Sequence, residues 1–360
     1  MGKIKVAING LGNCATSLIQ GIEYYKDYRD ESKKIPGLMH VNFGGYCPGD
    51  IEIVAAFEVN KLKIGKDISE AIYMDPNCAR KIADVPHKGI TVLPGPIKDG
   101  VATHMIEPFH CYDPKETEPV DIVEALKTSK ADMLVNYCPV GSKEATQTYA
   151  QAALDAGIAF VNCIPEFIVS EPLWAKKFED AGIPCAGDDI KSQLGATIVH
   201  RVLSDLCVKR GIEIDETYQL NIGGNTDFLN MTDEKRLLTK RISKTEAVTS
   251  LVPYKVPVRI GPSDYVEFLG DKKICYVHLK GRKFGDMPVS LAVKLSVEDS
   301  PNSAGVVIDI IRAVKIGLDR KVSGPLLSIS SYGFKHPPVQ VPDSEAFQWV
   351  EDFIQNKRER

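Results

Sequence analysis

The sequence predicts an α/β protein with a Rossmann-type, doubly wound parallel sheet and a second, mostly antiparallel α+β domain. A short buried strand, a glycine-rich turn and a helix open the chain, and strand and helix patterns then alternate. From Glu213 the hydrophobic alternation becomes typical of strands with few helices between them. An apolar helix at 300–320 predicts a return to the first domain. We therefore expect a dinucleotide-binding domain at 1–199 and 299–360, and a catalytic and oligomerisation domain at 200–298.

The composition limits the classes of function. The 360 residues exceed what one hydrophobic core usually covers, and the 44% hydrophobic and 26% charged content is ordinary for a globular protein. A net charge of -4 argues against a dedicated nucleic-acid or membrane-surface binder. No apolar run approaches the roughly 18 residues of a membrane span, and the start of the chain lacks a signal-peptide pattern. We expect a cytoplasmic protein.

The cysteines and histidines show no metal-binding spacing. The nine cysteines form no C-x-x-C pair, and the seven histidines form no H-E-x-x-H motif. Reduced thiols in a cytoplasmic protein explain the cysteines, and a structural zinc site has no support. A divalent cation held by carboxylates, phosphates and water would leave no spacing signature, so that possibility stays open.

The first strand runs directly into the segment GLGNCA, which predicts a cofactor site. Gly10, Gly12 and Ala15 form G-x-G-x-x-A, in which the first glycine allows a tight turn and the second admits a pyrophosphate. The small third residue lets helix and strand pack closely. We assign NAD binding to this loop, including Asn13 and Cys14; a merely structural turn is the alternative.

Two later strand ends complete the predicted cofactor site. Glu58 ends a strand at 51–59, after an insertion at 26–50, and a carboxylate there favours NAD because it repels the 2′-phosphate of NADP. An ordinary strand-end residue is the alternative for Glu58. Asn136 and Tyr137 follow another strand at the carboxyl edge of the sheet, where cofactors bind.

The second domain contains a charged segment that predicts an anion site. Asn225 and Asp227 follow a strand, and Lys240 and Lys244 lie four residues apart, which places both on one face of a helix. Like charges at that spacing repel each other by a few tenths of a kcal/mol, and an anion between them would reverse the sign. A solvated basic helix face is the alternative.

A polar segment before another helix adds candidate ligands. Asp189, Ser192 and Gln193 precede a helix at 195–209. Hydroxyl and amide groups at a helix N-terminus suit an anion, although plain helix capping explains Ser192 equally well.

Several segments together resemble the inositol-1-phosphate synthase family in its bacterial and archaeal form. They span nearly the whole chain in family order and are VAINGLGNCATSLIQGIEYY, PGLMHV, GDDIKSQLGAT, LNIGGNTDFLNM, KRISKTEAVTS, IGPSDYV, EDSPNSAGVVIDIIRAVKI and SYGFKHPP. The resemblance implies an NAD-dependent isomerising cyclase of inositol and phospholipid biosynthesis, assembled as a homotetramer. It implies conversion of D-glucose 6-phosphate to 1D-myo-inositol 3-phosphate by C5 oxidation, enolisation, aldol closure and re-reduction.

The resemblance also assigns roles to the charged residues. Lys240, Lys244 and Lys335 match the active-site lysines of the family. Lys244, with Ser192 and Gln193, would hold the phosphate. Lys240 and Lys335 would stabilise the C5 oxyanion and move protons, which requires several cations and a lysine of lowered pKa. Without the resemblance, Lys335 would be interpreted as a surface-loop residue.

The carboxylates and the remaining phosphate ligand complete the implied site. Asn225 and Asp227 would orient sugar hydroxyls, and Asp189 and Asp299 would lie near the nicotinamide and the substrate or help to hold a cation. Asp299 could instead cap the helix that follows it. Eukaryotic members have a further lysine before the aspartate that corresponds to Asp264, and here no lysine occupies that place. Arg259 or Lys255 could replace it.

Two other functions remain as alternatives. One is a net NAD-dependent dehydrogenase of the amino-acid type, which would share the N-terminal fold and a sheet domain. The other is a non-enzymatic NAD-binding sensor, against which the polar residues of three distant segments argue.

Overall fold

The chain forms two sheets, which a computed structural model describes for residues 2–30, 32 and 35–360. The strands of the first sheet are β1 (Ile4–Asn9), β2 (Ile51–Glu58), β3 (Leu93–Pro94), β4 (Met133–Asn136), β5 (Ala159–Asn162), β6 (Pro184–Gly187) and β11 (Gly324–Pro325). Those of the second sheet are β7 (Glu213–Gly223), β8 (Val258–Tyr265), β9 (Lys272–Arg282) and β10 (Pro288–Glu298). The first sheet is parallel, in the order β11-β6-β5-β4-β1-β2-β3. The predicted doubly wound α/β fold is confirmed.

Helices cover and connect the two sheets. They are α1 (Asn13–Tyr25), α2 (Ile68–Ala71), α3 (Ile122–Ser129), α4 (Lys143–Ala156), α5 (Pro172–Asp180), α6 (Ala196–Lys209), α7 (Thr226–Asn230), α8 (Leu238–Thr249), α9 (Pro301–Asp319), α10 (Leu327–Gly333) and α11 (Asp343–Ile354). The chain builds β1 to β3 toward one edge and then crosses to β4 on the other side of β1. The crevice at this reversal of strand order is where open parallel sheets bind ligands.

The central strands are buried on both faces of the first sheet. All residues of β4, β5 and β6 are buried, which is the pattern expected of parallel strands covered by helices. Gly157 ends α4 with φ 75°, a left-handed conformation that glycine adopts without steric cost at a helix C-terminus. Within the described residues, no helix is long and apolar enough for a membrane span.

The second sheet has the order β10-β9-β7-β8 and is mostly antiparallel, as predicted. Its exception is the parallel pair β7–β8, because the intervening chain crosses over through α7 and α8. Ile214, Cys275, Val277 and Leu279 form its inner apolar face, against which α6 packs. The sheet therefore has a small core of its own.

Helix α9 returns to the first sheet, as its apolar sequence predicts. It packs against α1, and Val307, Ile310 and Ile311 are completely buried. A buried pair on the same helix, Asp309 and Arg312, binds the backbone of the insertion between β1 and β2. The domain limits at 199/200 and 298/299 stay a prediction.

Local sequence predicts a short helix at 78–83 and a loop at 330–338, and both predictions are wrong. Residues 78–83 are not helical, because the side chains of Asn13 and Gln20 on α1 accept the hydrogen bonds of Cys78 and Ile82 backbone N–H groups. The predicted loop at 330–338 begins inside α10, where burial of the serine-rich segment supports a helix that local propensity disfavours.

Candidate active site

A cleft opens at the reversal point between β1 and β4. It holds about 1320 Å³ of empty space, including the part that opens to solvent. Most of the residues predicted to bind the cofactor line it, namely Gly10, Gly12, Asn13, Cys14, Ala15, Glu58 and Tyr137. The sequence motif and the fold therefore indicate the same place.

The glycine-rich loop is shaped to receive a phosphate group. Gly10 has φ +84°, and a Cβ there would lie 2.5 Å from the carbonyl oxygen of Tyr137, so this position requires glycine. A Cβ on Gly12 would meet nothing within 4 Å, which leaves its backbone open to the cleft. Helix α1 begins at Asn13, and its first N–H groups have no partner within the helix. This donor set fits a dinucleotide pyrophosphate.

Glu58 lies directly beside that loop. Its Oε2 accepts a hydrogen bond from the backbone N–H of Leu11 at 2.6 Å, and its Oε1 accepts one from Val59 at 2.8 Å. The carboxylate therefore braces the loop as well as lining the cleft.

Asn136 does not line the cleft, in contrast to its neighbour Tyr137. Its amide belongs to a buried ladder across the carboxyl ends of four strands, from Asn9 through Asn136 and Asn162 to Asp188, with nitrogen–oxygen distances of 2.7–2.8 Å. Asn136 thus positions the strand ends around the cleft, and its side chain is fully buried.

Asp189 is the centre of a second group of charges. Its Oδ1 lies 3.2 Å from Lys240 Nζ and 2.9 Å from Lys335 Nζ, and its Oδ2 accepts a hydrogen bond from Ser243 at 2.5 Å. These contacts join β6, α8 and the segment after α10. The sequence predicted Asp189 on the cofactor side, and the structure places it among the lysines.

The lysine cluster, defined as Lys240, Lys244, Lys273 and Lys335, lies around Asp189 and Asp299; Lys244 is buried and the other three are half-buried. Burial alone would raise the pKa of Asp189, but Lys240 and Lys335 outweigh it and hold that pKa below its usual range. Burial also opposes the charge on Lys240, yet Asp189 and Asp227 raise its pKa. Lys240 is therefore a permanent cation.

The pKa of Lys335 is shifted in the opposite direction to that of Lys240. Its ammonium donates to Asp189 and, at 2.6 Å, to the carbonyl oxygen of Ile190. Burial, offset in part by Asp189 and reinforced by Lys240, lowers its pKa to about 8. This lysine can exchange a proton near neutral pH.

Lys244 is buried without a hydrogen-bond partner among the described residues. Its side chain is 4% exposed. Burial and the neighbouring charges of Lys273, Lys240 and Lys335 drive its pKa well below the usual range. An anion entering the cluster would relieve this repulsion.

Lys273 is a site residue that sequence reasoning missed. Its Nζ lies 2.8 Å from Asp299 Oδ1, and the Asn225 amide donates to the other oxygen of Asp299 at 3.4 Å and to Asp271 at 3.2 Å. Arg259 and Lys255, the replacements suggested by the sequence, are exposed. The alternation of β9 could have indicated Lys273, because it shares the inner face with buried Cys275 and Val277.

Lys240, Asp227, Asn225 and Asp299 also line the cofactor cleft. The cleft and the lysine cluster are therefore one continuous site. Arg236, just before α8, strengthens the junction by donating to the carbonyl groups of Asp99, Gly100 and Gly141 on the first-sheet side.

Two predicted phosphate ligands lie apart from the cleft lining. Gln193 is exposed and its backbone N–H donates to Asn302, while Ser192 is half-buried in the turn before α6. Within the described residues, no three His, Cys, Asp or Glu side chains are grouped as a metal site.

The structure combines a Rossmann-type sheet, a glycine-rich cleft and a lysine cluster. This combination is typical of enzymes in which a bound dinucleotide acts on an anionic substrate. The comparisons with known proteins narrow the class. The family model for myo-inositol-1-phosphate synthase matches residues 195–300. The inositol-3-phosphate synthase of Corynebacterium glutamicum is 56% identical, over 98% of each chain.

Two further relatives agree. The inositol-3-phosphate synthase of Mycobacterium tuberculosis is 53% identical over 98% of this chain and 96% of its own length. The crystal structure of a myo-inositol-1-phosphate synthase-related protein from Thermotoga maritima superposes with a TM-score of 0.78 at 26% identity, over 98% of both chains. The chain belongs to the inositol-3-phosphate synthase family, a family of isomerases of inositol biosynthesis.

Proposed function

We propose that the protein converts D-glucose 6-phosphate to 1D-myo-inositol 3-phosphate with tightly held NAD and no net oxidation. The observation that carries the proposal is Lys244, a buried amino group that lies among other lysines and has no protein acceptor among the described residues. A phosphate dianion would supply the missing acceptor and neutralise the charges of Lys273, Lys240 and Lys335 around it.

NAD, when bound, supplies reversible hydride acceptance at its nicotinamide ring. Gly10, Gly12 and the first turn of α1 would hold its pyrophosphate, and Glu58 its adenosine ribose. Cys14 and Tyr137 line the same cleft toward the lysine cluster. These residues hold and orient the cofactor and take no chemical part.

The permanent cations would stabilise oxyanions on the sugar. Lys240 lines the cleft and keeps its proton because Asp189 and Asp227 face it, and Asp299 does the same for Lys273. Negative charge develops on the C5 oxygen as the enolate forms at C6. Ammonium groups already in place stabilise that charge without reorganisation of solvent.

Lys335 would carry the proton removed from C6. Its pKa of about 8 leaves a useful neutral fraction at physiological pH, and Asp189 keeps its Nζ oriented. After the aldol closure the same lysine can return a proton to the new alkoxide at C1. Asn225 and Asp227, at the start of α7, would orient the sugar hydroxyls.

Product analysis distinguishes a cyclase from a net dehydrogenase. Purified protein is given glucose 6-phosphate and catalytic NAD, and both the inositol phosphate and the NADH absorbance are followed. The cyclase yields inositol phosphate without accumulating NADH. Stoichiometric NADH would contradict the proposal, and repeating the assay with a chelator and with added Mg²⁺ tests for a cation.

We further propose a cytoplasmic homotetramer. The second sheet has two edge strands, β8 and β10, and the eleven-residue β10 offers a long row of backbone groups for pairing. Tyr218 and Tyr276 are exposed on its outer face. Light scattering at several protein concentrations measures the assembly, and a persistent monomer would contradict this proposal.

A further inference from the structure

A buried lysine lies in the part of the cleft that contains Glu58, outside the lysine cluster. Lys63 is 2% exposed and lines the cleft together with Glu58 and Asn60. Its Nζ donates to the carbonyl oxygen of Leu11 at 2.6 Å. The mechanism proposed above does not use this residue.

A tight turn folds Lys63 back toward the glycine-rich loop. Lys63 and Ile64 donate backbone hydrogen bonds to Asn60, whose side-chain oxygen accepts from Leu62 at 2.7 Å. The Asn60 amide nitrogen donates to Asp75. This turn follows β2 directly, so the ammonium group lies near the strand end that carries Glu58.

Glu58 and Lys63 both form hydrogen bonds with the backbone of Leu11. Glu58 accepts from the Leu11 N–H, while Lys63 donates to the Leu11 carbonyl. Within the described residues, no carboxylate forms an ion pair with Lys63, and an ammonium group has three N–H donors. Donor capacity therefore remains beside Glu58 in the cleft.

We propose that Lys63 is a specificity-determining residue of the dinucleotide site, and that Glu58 alone keeps its ammonium from binding a 2′-phosphate. The inference rests on the proposed NAD function. Rossmann-type sites place the adenosine ribose at the end of the second strand, and a basic residue near that end accommodates the phosphate of NADP. Lys63 has that position and charge.

The electrostatic environment supports the assignment. Burial lowers the pKa of Lys63, and the charges of Glu58 and of the exposed Asp75 oppose the shift. Replacing Glu58 with glutamine removes the like charge that faces a 2′-phosphate and leaves Lys63 with a weaker counter-charge. The glutamine can still accept a hydrogen bond from Leu11.

The test compares the full-length wild type with Glu58→Gln, Lys63→Met and the double variant. Isothermal titration calorimetry measures the Kd of NAD, of NADP, and of the probes 5′-AMP and adenosine 2′,5′-bisphosphate. Lys61→Met is the matched control, because Lys61 belongs to the same turn but is exposed. Thermal unfolding of each variant shows that the fold is intact.

We expect Glu58→Gln to lower the ratio Kd(NADP)/Kd(NAD) by about 10-fold or more, because a phosphate contact with a desolvated cation is strong. The double variant should restore most of that ratio, and Lys61→Met should leave it unchanged. Equal ratios in the single Glu58 variant and the double variant would overturn the assignment. A wild type that binds neither dinucleotide would instead contradict the proposed function.

Discussion

Two largely buried lysines, Lys191 and Lys335, both have a pKa of about 8, although different charged groups surround them. Burial is the main cause in both; Asp343 and Arg201 act on Lys191, whereas Asp189 and Lys240 act on Lys335. The protonation state therefore does not separate a structural lysine from a chemical one.

Hydrogen bonding does separate them. Lys191 donates to Ser331 and Asp343, and Arg201 beside it donates to Asp343, Ala247 and Val341. The two cations share one carboxylate, but both have hydrogen-bond acceptors within the protein. In the lysine cluster, Lys244 has no acceptor among the described residues. Buried cations whose donors are satisfied hold elements together, and one without an acceptor is open to a ligand.

Lys335→Ala should have the largest effect on the chemistry. We expect kcat to fall by about 1000-fold, because a positioned proton carrier contributes roughly 100- to 10,000-fold. Lys240→Ala should behave similarly. Both variants should keep NAD affinity near normal by calorimetry, and a parallel loss of NAD binding would show that these lysines belong to the cofactor site.

Lys191→Met should affect stability. Breaking a buried charge network costs about 3–5 kcal/mol, and we expect the lower end because Arg201 still pairs with Asp343. Urea unfolding measures the change, with the exposed Lys176→Met as control. The folded fraction should keep its kcat within about threefold; a selective loss of kcat would place Lys191 in the chemistry.

Lys244→Met should stabilise the ligand-free protein, in contrast to Lys191→Met, which should destabilise it. Removing a buried amino group that has no acceptor should stabilise the ligand-free protein by about 2 kcal/mol, while the KM for glucose 6-phosphate rises by about 30-fold or more. Thermal unfolding with and without glucose 6-phosphate measures both effects. Destabilisation, or unchanged protection by the sugar phosphate, would contradict the phosphate role.

The smallest expected effect is the dependence of kcat/KM on pH in the wild-type protein. Lys335 must be neutral to accept the C6 proton, so kcat/KM should rise about tenfold per pH unit below its pKa of about 8 and level off above it. Lys191→Arg should keep this limb, since Lys191 takes no part in the chemistry. A flat profile between pH 7 and 9 would exclude Lys335 as the base.

The local pattern of apolar and polar residues was sufficient to predict most of the strands and helices. Continuous apolar segments such as 131–142 predicted the central strands, and the all-round apolar α9 predicted its own burial. The boundaries shifted by a few residues. Segment 78–83 was wrongly predicted as a helix, because its backbone partners, Asn13 and Gln20, lie about 60 residues away in sequence.

The candidate site was predictable only in part. Gly10, Gly12 and Glu58 follow from a local motif, Lys240 from its spacing to Lys244, and the resemblance to a family added Lys335. Neither route identified Lys273, because its role depends on the pairing of β9 with β7, which turns it toward Asp299.

The sequence by itself determined the order of elements, the glycine-rich loop and the membership of a family, because these depend on neighbouring residues and on recurring motifs. Only the tertiary structure decided which buried lysines have hydrogen-bond acceptors within the protein. The sequence alone does not distinguish the roles of Lys191, Lys244 and Lys335. Their pKa values and hydrogen-bond partners depend on groups that the fold brings together from the two sheets. The long-range contacts that bury a charge also determine whether it supports the fold or binds a ligand.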